Sequence, residues 1–189
     1  MIFKNRFPRR TFMVGAGSAA LLTAACGNGV GSRGSDTIDS RVDSTLNFLY
    51  SRYPNTLELR DKAAGILVMP VITKAGFGVG GAFGRGALRV NDTTVDYYSA
   101  ASGSIGLQIG AQQYSHALFF MTQEALADFR RAPGWAAGAD AEFVLNENGE
   151  NLSAETTTAL SPTIAVIFGQ AGLSAGATLK GTKYTRIIP

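Results

Sequence analysis

The chain has one cysteine and one histidine, and its apolar N-terminal stretch is short. A lone cysteine, Cys26, excludes an internal disulfide framework and any multi-cysteine zinc site. A lone histidine, His116, excludes a histidine-rich metal centre. The run Thr11–Ala25 falls short of the roughly 20 residues that span a bilayer. Basic surface is also scarcer than the net charge of +3 suggests. Lys4, Arg6, Arg9 and Arg10 fall in the first 25 residues without an acid. They leave thirteen basic residues against fourteen acidic ones for the remainder, a formal charge of −1. That balance excludes a nucleic-acid face and assigns the basic excess to an export signal. Few helical stretches are long enough for βαβ crossovers, which argues against a parallel sheet.

What is present starts with an address. A positive segment, KNRFPRR, precedes the Thr11–Ala25 run, which ends in the small residues Thr23, Ala24 and Ala25. This pattern predicts a signal peptide over residues 1–25. Arg9 and Arg10 with Thr11-Phe12-Met13 resemble a twin-arginine signal. Leu22–Cys26 resembles a bacterial lipobox, with Thr23 where leucine is usual, and implies acylation of the Cys26 thiol. Acyl chains anchor by about 0.8 kcal/mol per buried CH₂. Gly27 after the cysteine, where aspartate would mark inner-membrane retention, points to the outer membrane of the cell envelope. Residues 26–35 then read as a lipidated, glycine-rich tether, and 36–189 as one domain.

The domain opens with helical periodicity over Asp36–Tyr53, where Ile38, Val42, Leu46, Leu49 and Tyr53 share a face. Ser35 or Asp36 is the expected cap, and docking on the sheet is the expected fate of that face. A second helix is predicted over Leu57–Ala64, with Thr56 as cap. From Gly65 the period becomes two. Strands are predicted at Ile66–Met69, Phe77–Phe83, Ala87–Val90, Val95–Ala100, Ile105–Ala111 and Ala117–Met121, with a turn at Asn91-Asp92. Thr122 should cap a helix over Gln123–Arg131 that stops before Pro133. Ala139–Leu145 reads as a strand and Asn146–Glu150 as a turn. Ile164–Phe168 and Leu173–Leu179 read as a hairpin around Gly169–Gly172, and Tyr184–Ile188 as an edge strand. The expected class is α+β: a mainly antiparallel, barrel-like or sandwich-like sheet with N-terminal helices packed against it.

Two catalytic patterns fail on context. Gly76–Gly81 satisfies G-x-G-x-x-G, but Gly80, Gly81, Gly84 and Gly86 occupy the helix that a dinucleotide site needs. Gly172–Gly176 satisfies G-x-S-x-G, but no histidine or acid follows Ser174, and His116 precedes it. His116 reads as a core or strand-end histidine. No catalytic residue, metal or cofactor is therefore expected. Binding is the better reading. Lys62, Lys74, Arg85 and Arg89 in the glycine-rich stretch, with Lys180 and Lys183 near the C-terminus, form a basic rim if the two β segments adjoin. Phe77 and Phe83 lie beside it. Arginine forks and lysine charges suit phosphate, and glycines let backbone N–H groups approach.

Several ordered blocks resemble the SYLF domain family. They are Lys62–Pro70, Lys74–Gly81, Gly84–Gly86, Ser104–Gln112, Leu118–Phe129 and Gly172–Gly181, and they span roughly Ser44 to Ile187. The resemblance implies a non-catalytic, lipid-binding domain, with actin binding in some fungal members. In a bacterial envelope it implies an anionic or apolar lipid as partner, and the basic rim of Lys62, Lys74, Arg85, Arg89, Lys180 and Lys183, with Phe77 and Phe83 beside it, is the expected place of contact. The membrane is then met twice, through phospholipid and through acylated Cys26. The rival expectations are an envelope interaction protein or surface antigen without a small ligand, and an enzyme acting on lipid or cell-wall polymer.

Overall fold

The computed structural model describes residues 33–137, 142–143, 161–172, 179 and 181–189. Helices α1 (Gly34–Arg52) and α2 (Thr56–Lys62) lead into β1 (Gly65–Val90) and β2 (Thr93–Phe120), followed by α3 (Gln123–Arg131). The strands β3 (Trp135–Ala136), β4 (Glu142–Phe143), β5 (Thr163–Gly172) and β6 (Lys183–Ile187) complete the described elements. Cys26, the signal peptide, the turn at 146–150, Ser174 and Lys180 lie outside the described residues.

The sheet is built on β2. Its full length pairs antiparallel with β1; on its other edge, residues 97–101 take β6 and residues 112–120 take β5. β3 adds to β6, and β4 adds to β5 as the one parallel pair among the described residues. The α+β, mainly antiparallel, barrel-like class expected from the sequence is the one adopted: a curled half-barrel with the N-terminal helices against it.

The six short strands expected between Ile66 and Met121 are in fact two long ones. The turn that joins them stands as expected, with Asn91 and Asp92 at φ 49° and 60°, the left-handed conformation of a tight hairpin. Glycine bends the hairpin, and the ladder between β1 and β2 resumes beyond each shift of register. Register irregularities fall at Met69/Ile72, Phe77/Val79 and Leu88/Arg89. At the second, the chain doubles so tightly that a methyl on Gly76 would lie 2.5 Å from the Gly80 Cα. The hairpin thereby folds back on itself, and the first half of β1 packs against the second half. A methyl on Gly86 would overlap the Val68 carbonyl oxygen, and one on Gly84 would overlap that of Val71. The glycines serve backbone meeting backbone, one of the two uses open to them in a strand.

Alternation along the strands feeds two cores. Ile66, Val68, Ala87, Ala117, Phe119, Ile164, Val166 and Phe168 face Ile38, Val42 and Leu49 of α1 and Leu59 of α2. Leu67, Met69, Leu88, Leu118, Phe120 and Ile167 face the other way, toward Leu126 and Phe129 of α3, Tyr98 and Tyr184. The α1 face read from periodicity is the docked one. The expected caps differ. α1 starts at Gly34 after Arg33, with no side-chain cap, and Thr56 lies inside α2, donating from Oγ1 to the Tyr53 carbonyl at 2.6 Å. Thr122 does cap α3, accepting from Ala125 N at 3.1 Å.

Two further expectations are corrected. Gly169–Gly172 is strand, with Ala171 and Gly172 opposite Gln113 and Gln112. The turn-like signal marks a bulge, where Gly169 has φ +62° beside the Gln113/Ser115 register shift. The terminal strand is an edge only from Thr185 onward among the described residues, because β3 pairs on the outer side of Lys183 and Tyr184.

Candidate functional site

Helix α1 carries its charges in two edges beside the buried stripe of Ile38 and Val42. Residues 39 and 43 lie one turn apart on one edge; residues 33, 37 and 41 lie one turn apart on the other. The acidic edge is consumed by the fold. Asp39 accepts from Thr94 Oγ1 and Tyr97 OH, each at 2.7 Å. Asp43 pairs with Arg89 Nη2 at 2.5 Å, while Arg89 Nη1 donates to the Asp92 carbonyl at 2.9 Å. These contacts fix α1 to the hairpin turn.

The basic edge faces a groove. Arg33, Gly34, Thr37, Ile38 and Arg41 of α1 form one wall, and Pro70, Val71, Thr73, Phe83, Gly84 and Arg85 of β1 the other. The enclosed volume is about 530 Å³. A second, more open concavity of about 700 Å³ shares Arg41, Pro70, Val71 and Thr73 and adds Ser40, Ser44, Thr45 and Gln113. The folded-back hairpin creates the β1 wall, since it sets 70–73 beside 83–85 in space. Two large apolar side chains in this wall stay open to solvent, Val71 at 40% and Phe83 at 52%.

Ion pairing separates the arginines of the domain. Arg60 pairs with Asp61, Arg89 with Asp43, Arg130 and Arg186 with Asp96, and Arg131 with Asp128. Arg33, Arg41, Arg52 and Arg85 have no ion pair or side-chain hydrogen bond among the described residues, and of these Arg33, Arg41 and Arg85 line the groove. Three unneutralised guanidinium forks therefore surround a concavity that has hydroxyls and exposed apolar surface. This combination suits an anionic, phosphate-type group attached to something apolar.

Of the residues read as a basic rim, Arg85 and Phe83 stand in the groove. Arg89 is bound to Asp43 and holds α1. Lys62 closes α2 on the exposed surface, and Lys74, following Thr73, projects from the other face of the strand. The C-terminal segment does not adjoin β1, because β2 lies between them. Lys183, Ala101 and Phe83 share one register row, but the Lys183 side chain lies along Gly134, away from Arg85. Lys180 and the Phe77 side chain are outside the described residues. Arg33 and Arg41 escaped the sequence reading. Their signal was the Arg33, Thr37, Arg41 spacing, which segregates them from Asp39 and Asp43.

His116 lies in the core rather than at a strand end. It is fully buried, with Nε2 hydrogen-bonded to Tyr184 Oη at 2.7 Å and the Tyr114 ring nearby. Burial pushes its pKa down to about 3, so the folded state keeps it neutral. The unfolded chain, titrating near 6.5, binds the extra proton between these values. Stability conferred by a neutral His116 is complete above about pH 6.5 and is lost as pH falls toward 3. Denaturant unfolding at pH 6 and pH 5 should differ by about 1 kcal/mol from this residue, and His116→Gln should remove that increment. An identical pH slope in the variant would refute the assignment. Among the described residues, no group of three His, Cys, Asp or Glu side chains could hold a metal, and no helix is long and apolar enough to cross a membrane.

Residues 101–186 match the model of the family described as Ysc84, Las17-binding protein actin regulator. No curated protein matches the chain. The matched span runs from within β2 to within β6, whereas every residue lining the 530 Å³ groove precedes it.

Proposed function

We propose, from the homology of residues 101–186 to the Ysc84 (SYLF-domain) family, that this chain is an exported, lipid-anchored protein whose domain binds an anionic lipid without catalysis. The observation that carries this reading is the α1–β1 groove, where Arg33, Arg41 and Arg85 lack ion-pair partners among the described residues and lie beside exposed Phe83 and Val71. The guanidinium groups receive the headgroup, and the apolar pair meets its glycerol and acyl portion. The first 26 residues support the rest: an export signal, followed by an acylated Cys26 on the bacterial envelope, with the outer membrane as destination. The family description names an actin regulator that binds Las17. For this chain, the unpaired arginines favour lipid over a protein partner.

The test is flotation of the unacylated Cys26→Ser chain with vesicles of phosphatidylcholine alone or with 30% phosphatidylglycerol. The expected result is selective flotation with the anionic vesicles, weakening as salt rises from 50 to 300 mM. Equal behaviour with both compositions at low salt would sink the lipid reading and leave an envelope interaction protein.

A further inference from the structure

We infer that the groove draws its phosphate-bearing headgroup from the membrane leaflet that holds the chain's own anchor, so that Cys26 and the groove make a two-point attachment to one surface. This rests on the reading above and concerns where the site points. Arg33, the residue that precedes α1, itself lines the groove. Cys26 is seven residues upstream, and seven residues in any conformation reach at most about 25 Å. A domain of this size has a radius of gyration of about 15 Å, so a site on its far side would be held away from the anchoring surface. The groove instead lies where the anchored segment enters the domain.

The surrounding surface suits an interface with lipid. Of the large apolar residues exposed among the described ones, Val71 and Phe83 line the groove, and Val79, 72% exposed, occupies the bend of the same folded-back strand. Arg33, Arg41 and Arg85 add three positive charges, unpaired among the described residues, that are attracted to an anionic surface. A short tether raises the local headgroup concentration to the millimolar range, so a site of modest intrinsic affinity is filled once the anchor is inserted. The nearest acids do not oppose this. Asp39 and Asp43 are engaged on the other edge of α1, and Asp36 is not part of the lining.

The experiment places the acylated full chain in phosphatidylcholine vesicles and supplies phosphatidylglycerol either in those vesicles or in a separate population. Modification of Arg33, Arg41 and Arg85 by phenylglyoxal is read by mass spectrometry, and vesicle clustering by light scattering. Same-surface engagement predicts about tenfold slower modification only when phosphatidylglycerol shares the protein's vesicle, with no clustering. Protection by the separate vesicles, or clustering of the two populations, would overturn the inference while leaving lipid binding intact. Equal protection by inorganic phosphate alone would assign the groove to a free anion and overturn it as well. If neither arrangement protects, the unacylated Cys26→Ser chain decides what else fails. Its binding to anionic vesicles means that only the orientation is wrong, and its failure to bind removes the lipid reading too.

Discussion

Replacing Gly86 by alanine should cost about 3 kcal/mol of stability, a fall of roughly 6–12 °C in Tm for a domain of this length. The new methyl would collide with the Val68 carbonyl oxygen and lie 2.7 Å from Met69 Sδ. The thioether can swing aside. The carbonyl cannot, because residues 66–69 are held in the ladder with 116–119 of β2, and both neighbours, Val68 and Met69, are fully buried. Relief therefore requires opening the doubled hairpin, which exposes both cores. Gly103→Ala is the matched control, since nothing lies within 4 Å of the position a methyl would take. It should change stability by no more than about 0.5 kcal/mol. Paired thermal or urea unfolding of the two variants decides the matter. Equal stability would mean that the two halves of β1 do not touch as described.

The second large effect is expected at the groove. Arg41→Ala with Arg85→Ala should weaken binding to phosphatidylglycerol vesicles about 30-fold at low salt, which corresponds to roughly 1 kcal/mol for each charge near an anionic surface. Neither side chain has an ion pair or hydrogen bond among the described residues, so their loss should leave Tm almost unchanged. Arg89→Ala should behave in the opposite way. It removes the partner of Asp43 and loosens α1, lowering Tm while the groove keeps its three free guanidinium groups. Arg131→Ala, an exposed pair with Asp128, should change neither measurement. Loss of vesicle binding in Arg89→Ala with none in the double variant would move the site to the hairpin turn.

Much of this architecture was legible because it depends on short-range pattern. The α1 stripe, the Thr122 cap, the Asn91-Asp92 turn and the strand at Ile66–Met69 each follow from local spacing. The length of the strands did not, because glycine reads as punctuation in sequence and acts as a hinge here. Gly169–Gly172 misled for the same reason, since a turn and a bulge draw on the same residues. The site was half visible. Arg85 and Phe83 stood in the glycine-rich stretch, but Arg33 and Arg41 joined them only once α1 docked, and docking is a tertiary event. Arg89 looked like an equal candidate until Asp43, 46 residues away, neutralised it. Free and neutralised arginines look alike in a sequence.

The pairing pattern around β2 also sets an order of assembly. β1 and β2 are joined by a two-residue turn, so their ladder can form as soon as residue 120 is available. β6 must instead find residues 97–101 from 86 residues further along the chain, and β5 must find 112–120 across a long connection. Loop-closure entropy makes these pairings late. Until the last residues arrive, one edge of the central strand stays open to any extended segment, including that of another molecule. The C-terminal strand thus closes the interval in which an unfinished chain can associate with its neighbours, and truncation before Lys183 should show itself first as aggregation during synthesis.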